Sequence, residues 1–185
     1  MFLVNEKVVY PGYGVAVINK LVNRSIAGKA TFFYELKFFD KEMTVLVPEK
    51  RIEEVGIRRL SSINDLKSMF KILNQPFEQH KHEVGVNNWN RRNKKYQTDL
   101  RSGDLFKLSY IYRDLQSISQ DKELSFGEKA LCTKIESMLI EEISAVKNIG
   151  KKEALQCLKK SVKCAKKTAL SFSDISSIKA ETQTL

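Results

Sequence analysis

Residues 54–73 read Glu-Val-Gly-Ile-Arg-Arg-Leu-Ser-Ser-Ile-Asn-Asp-Leu-Lys-Ser-Met-Phe-Lys-Ile-Leu, and the hydrophobic period changes within them. Upstream of Gly56 apolar residues alternate, as in half-buried strands; downstream they recur every three or four positions, as on a helix face. Ser62 and Asp65 form a capping signal, with a shorter acid than the usual Glu. Ile63, Leu66, Met69, Phe70 and Leu73 then trace one helical face until Pro76. The boundary between a β region and a helical region falls near residue 60.

Working back towards the N-terminus, Val8-Val9-Tyr10 makes a short strand ending at Pro11, and Gly12 and Gly14 flank a turn. Val15, Val17 and Leu21-Val22 carry a second strand towards Ile26. Ala27-Gly28-Lys29 reads as a hairpin loop, and Thr31-Phe32-Phe33-Tyr34 with Leu36 and Phe38 as the return strand. Asp40-Lys41 turns the chain into Met43-Thr44-Val45-Leu46-Val47 before Pro48. Four short, largely antiparallel strands predict a compact curled sheet or small barrel.

Forward of Pro76, residues 76–87 form a polar loop, and a helix follows to about Arg101. Ser102-Gly103-Asp104 breaks the chain, after which Leu105, Leu108, Tyr112 and Leu115 recur at helical steps. Ser125 and Glu128 make an S-x-x-E capping box. The helix it opens buries Leu131, Ile135, Met138 or Leu139, and Ile143. A last helix over about 151–170 places Leu155, Leu158, Val162, Ala165 and Ala169 on one side. Lys152, Lys159, Lys160, Lys163, Lys166 and Lys167 take the rest. Residues 171–185 have little to bury and read as a disordered tail. The fold class is α+β: a small β-barrel or sheet over 1–60, then an all-α bundle over 61–170.

The 185 residues hold three cysteines in no metal-ligand spacing, which fits a reducing, cytoplasmic setting. No apolar run approaches the roughly 20 residues that would span a bilayer, and the N-terminus lacks the pattern of a signal peptide. The net charge of +10 is uneven: residues 1–60, 61–146 and 147–185 contribute +3, +1 and +6. Local patches decide where a polyanion docks.

One such patch is Asn88-Trp89-Asn90-Arg91-Arg92-Asn93-Lys94-Lys95, which holds the chain's only tryptophan among four cations, with no acid between Glu83 and Asp99. Arginine and lysine suit phosphate oxygens, and an indole can wedge between or stack on bases. On a helix Trp89, Tyr96 and Leu100 share a face, but Arg92 and Asn93 occupy the positions that would complete an apolar stripe. The stripe therefore begins at Tyr96, leaving Trp89 at an open end. The bland readings are an indole buried in the core and a solvated charge run. His80 and His82 form an H-x-H pair without the further ligands a metal site needs. No nucleophile–base pair, phosphate-cradling loop or metal cluster points to an enzyme, a cofactor or a small-molecule substrate.

These residues resemble the CarD/CdnL family of bacterial transcription regulators. The likeness is carried in order by Val8-Val9-Tyr10-Pro11 with Gly14, Val47-Pro48, Val55-Gly56-Ile57-Arg58, Trp89-Asn90-Arg91-Arg92 with Lys94, Ser102-Gly103-Asp104, Arg113-Asp114-Leu115 and Leu124-Ser125-Phe126-Gly127-Glu128-Lys129. The resemblance implies a Tudor-like N-terminal domain that binds the β subunit of RNA polymerase, with Arg24, Ile26 and Leu46 on the docking surface. It also implies a helical domain that meets promoter DNA at the upstream edge of the melted region. There Trp89 would enter the minor groove and stabilise the open complex, with Arg91, Arg92, Lys94 and Lys129 facing the DNA. The composition of the patch adds Lys95, and the polymerase contact implies nucleoid association. Two features depart from the family: Leu46 stands where some relatives carry a basic residue, and the lysine-rich segment beyond 147 is longer and more basic. Lys129 alone is a commonplace residue for the first turn of a capped helix. A second reading, an RNA-binding or ribosome-associated basic module, fits a small β-barrel with a basic helical appendage.

Overall fold

The computed structural model describes residues 1–26, 28–39, 42–76 and 86–162. Five strands come first: β1 (Lys7–Tyr10), β2 (Gly14–Ile26), β3 (Lys29–Phe38), β4 (Thr44–Pro48) and β5 (Arg58–Arg59). They form one antiparallel sheet in the order β4-β3-β2-β1-β5. A 3₁₀ turn (Glu49–Arg51) and the short α1 (Ile52–Val55) link β4 to β5. Four longer helices follow: α2 (Ile63–Asn74), α3 (Val86–Ser102), α4 (Leu105–Asp121) and α5 (Phe126–Lys147). A further helix, α6, is described over 151–162. The α+β class holds.

The sheet differs from expectation in three ways. β2, the expected second strand, carries a register irregularity between Ile18 and Lys20 that absorbs an extra residue. Ile26 pairs with Lys29, so Lys29 belongs to β3 and not to the expected loop, whose Ala27 lies outside the described residues. The fifth strand has no period to read: its two residues are extended because Val8 and Val9 pair with Arg59 and Arg58. Asp40 and Lys41 lie outside the described residues.

Residues paired across a ladder point to the same side, and alternate residues to opposite sides. One side of the sheet therefore gathers Val8, Ala16, Ile18, Tyr34, Leu36, Phe38 and Val47 into a core that Ile52 and Ile57 close. The helices build a second core from Leu66, Met69, Leu73, Tyr96, Leu100, Leu105, Leu108, Tyr112, Leu115, Leu131, Ile135, Leu139 and Ile143, among others. Both capping boxes form: Ser62 accepts from the Asp65 N–H, and Ser125 from that of Glu128. Ile63 is a correction, since it is 49% exposed and the capped first turn of α2 stands outside the core. In α6 the buried series is Ala154, Leu158 and Val162, a four-residue step that leaves Leu155 at its margin. Lys152, Lys159 and Lys160 are exposed. Ala165, Ala169, Lys163, Lys166, Lys167 and the expected tail lie outside the described residues.

The side of the sheet bearing Val9 and Val15 meets α5. The Val15 N–H donates to Glu141 Oε2 at 2.9 Å. Arg58, opposite Val9 in the ladder, gives Glu142 two bonds, Nη1 to Oε1 at 2.7 Å and Nη2 to Oε2 at 2.9 Å. Its Nε and Nη2 also donate to the Gly103 carbonyl at 2.9 and 2.8 Å. Ser61 completes the site, donating to Glu142 Oε1 from its N–H at 3.1 Å and its hydroxyl at 2.6 Å. Gly103 takes φ +64°, and a Cβ there would crowd Pro11 at 3.2 Å, so the close approach of the helix break to the sheet favours glycine.

Glu142 is 2% exposed, and its charge is tolerable because Arg58 and Ser61 replace water on both oxygens. Removing it leaves a half-buried guanidinium without its counter-charge and the two Ser61 donors without their acceptor. Glu142→Ala is expected to lose about 3 kcal/mol, equivalent to a midpoint lowered by roughly 6–12 °C in a chain of this size. Thermal unfolding followed by circular dichroism checks this, and a midpoint within about 2 °C of wild type would contradict it.

Candidate nucleic-acid interface

The corner where α3 crosses the start of α5 carries the tryptophan. α3 turns one face inward: Tyr96 and Leu100 are buried, and Trp89, Arg92 and Asn93 are half-buried. Arg91, Lys94 and Lys95 are exposed and have no carboxylate partner among the described residues. The indole packs at the edge of the helical core, its ring centroid 6.5 Å from that of Tyr96. The Tyr96 hydroxyl donates to Asp114 Oδ2 on α4, which fixes the inner end of the stripe. Burial, aided by the Asp114 hydrogen bond, raises the Tyr96 pKa far above its ordinary value, so the ring stays a neutral donor.

Gly127, in the first turn of α5, lies under the indole: a Cβ there would meet Trp89 Cζ2 at 3.2 Å. The next residue, Glu128, is 2% exposed. Its Oε2 accepts from the Ser125 N–H at 2.9 Å and the Ser125 hydroxyl at 2.8 Å, and its Oε1 accepts from Arg92 Nη2 at 3.1 Å. Burial opposes this charge more than any other single influence. Together the Ser125 bonds and the charges of Lys122 and Arg92 outweigh it, holding the carboxyl below the usual glutamate range. Arg92 Nε is buried and finds no hydrogen-bond partner among the described residues. The apolar stripe begins at Tyr96, and Arg92 extends the inward face beyond it because a buried acid receives its guanidinium.

Lys129 is exposed, and its Nζ lies 2.5 Å from Glu123 Oε1. The bond to Lys129 keeps the Glu123 carboxyl below its ordinary value. Such exposed pairs are screened by solvent, contribute little and open readily. Phe126, the first residue of α5, is 89% exposed, and the reading from sequence gave it no role. The available signal was its position: a ring just after an N-cap, off the helix's apolar face.

Arg24, Ile26 and Leu46 lie on the same side of the sheet, opposite positions spread along β3. Arg24 pairs with Thr31, Ile26 with Lys29 and Leu46 with Glu35, and these positions share one parity along β3. Arg24 and Ile26 are exposed and Leu46 is half-buried, with the Lys20–Glu35 pair (3.6 Å) on the adjoining ladder positions beside Leu46. Arg113 of the Arg113-Asp114-Leu115 motif donates from Nη2 to the Pro76 carbonyl at 2.5 Å, tying α4 to the end of α2. Among the described residues no three metal-capable side chains gather, and no helix is long and apolar enough to cross a membrane. His80 and His82 lie outside them.

Two family models match the chain. Residues 2–61 fit the CarD-like/TRCF RID domain, and residues 68–159 fit the CarD C-terminal domain. A curated relative, "Putative transcription factor YdeB" of Bacillus subtilis (strain 168), is 25% identical over 153 residues, spanning 83% of this chain and 97% of its own length. With both halves matched in order around one sheet and one helical bundle, the chain belongs to the CarD/CdnL family of transcription regulators.

Proposed function

We propose that the chain binds the β subunit of RNA polymerase through a domain of residues 1–60 and reaches promoter DNA through a helical domain of residues 61–170. Arg24, Ile26 and Leu46 form the polymerase contact, and Leu46 makes that contact partly apolar where some relatives would use a cation. Trp89 enters the minor groove at the upstream edge of the melted region. Arg91, Lys94, Lys95 and Lys129 hold the backbone there without reading sequence.

The observation that carries this reading is the state of the indole. It is seated on Gly127 and Tyr96 but not sealed into the core, and exposed cations lie on the same helix. A ring so held loses little freedom when it contacts DNA. Phe126 adds an exposed ring on the neighbouring turn, beside the half-buried indole. The mechanism is population shift: a protein that binds the melted promoter better than the closed one favours melting by that differential affinity alone. No step requires bond chemistry by the protein.

Trp89→Ala is expected to leave polymerase retention unchanged and shorten open-complex lifetime about tenfold, equivalent to ~1.4 kcal/mol of lost wedge contact. Competitor-challenged lifetimes on a responsive promoter measure this, and an unchanged lifetime would refute the wedge. Leu46→Asp places a charge in the apolar contact and is expected to weaken capture of polymerase at least about tenfold. Pull-down at graded salt reads it; full capture would remove Leu46 from the docking face. Tighter binding of structured RNA than of forked duplex, with no polymerase retention, would favour the RNA-module alternative.

A further inference from the structure

Of the four cations beside Trp89, one differs from the rest. Arg91, Lys94 and Lys95 point outward, whereas Arg92 lies on the inward face, three residues from Trp89 and four from Tyr96. Its side chain is 23% exposed, and its guanidinium meets Glu128, itself 2% exposed. Taking Arg92 away to a phosphate would strand a carboxylate inside the fold, a strongly unfavourable change. Staying with Glu128, it has no net charge to offer a polyanion and releases no counterion.

Accepting the proposed role of Trp89, we infer that Arg92 is a positioning residue and not a phosphate contact: Glu128 grips it, and the pair seats the indole on α5. Two consecutive residues of one turn divide the task. Gly127 leaves the room that the ring fills, and Glu128 anchors the α3 turn from which the ring projects. The same carboxylate closes the capping box of α5, so the helix start and the indole seat are fixed by one group. The family resemblance places Arg92 with the DNA-facing cations; the packing of this chain gives it a different task.

The single tryptophan makes the seat measurable, since its emission reports that one site. The full chain and its variants are titrated with a forked DNA duplex by anisotropy across a range of salt, and Trp89 emission is recorded without DNA. Lys95→Gln is expected to lower the slope of log Kd against log salt by about 0.9, one phosphate contact. Arg92→Gln leaves that slope unchanged within about 0.2 while weakening binding equally at every salt. Arg92→Gln and Glu128→Gln each shift Trp89 emission to the red, the double variant shifts it no further, and Arg92→Lys restores it in part. A slope loss of about 0.9 for Arg92→Gln with unchanged emission would overturn the inference. If Trp89→Ala and Lys95→Gln both leave DNA binding untouched, the DNA reading itself fails. The emission series then still decides whether the pair seats the ring.

Discussion

Two buried carboxylates on one helix organise the molecule. Glu128 and Glu142 are fourteen residues apart on α5, about 21 Å along its axis, and each is 2% exposed. Each is held by an arginine from elsewhere: Arg58 from the sheet at one end, Arg92 from α3 at the other. A buried acid without its partner costs about 3–5 kcal/mol, against a total stability of about 5–15 for a typical fold. Neither pair can open without threatening the fold. α5 therefore acts as a strut whose two ends are pinned by charge as well as by apolar packing.

The strut gives the proposed activity its geometry. A regulator that bridges polymerase and promoter can favour melting only by the difference in its affinity for two promoter states. Slack between the two contacts would let the indole follow either state and would erase that difference. The Arg58–Glu142–Ser61 cluster and the Gly103–Pro11 contact remove slack between sheet and bundle. The Arg92–Glu128 pair removes it between bundle and ring. Family motif pieces scattered along the chain (Pro11, Arg58, Gly103) meet at the first of these junctions.

What was legible in the sequence was local or periodic. Both capping boxes could be read because the two partners sit three residues apart. The buried face of α5 followed from spacing alone, and the hairpin from a glycine between alternating runs. What could not be read were the polar pairs between distant positions. Nothing in Arg58 announces an acid 84 residues on, and Arg92 looked like one more cation in a basic run. The fifth strand failed for the same reason, as two residues become a strand only through what they pair with. The candidate site was legible as a composition, tryptophan among cations, while the division between seated and free cations required the fold.

That division bears on how DNA could be held at all. With Arg92 neutralised in the fold, the corner offers Arg91, Lys94, Lys95 and a loosely paired Lys129. Three or four phosphate contacts give a salt slope of about three, so affinity falls roughly a hundredfold between 50 and 200 mM salt. Such a patch could not find a promoter by itself at cellular ionic strength. Tethering changes the arithmetic, because a linked second contact acts at an effective concentration that can reach millimolar. Under the proposed function, weak, sequence-blind cations would then be an advantage: promoter choice would be left to the polymerase, and the indole would act only where strands are already parting.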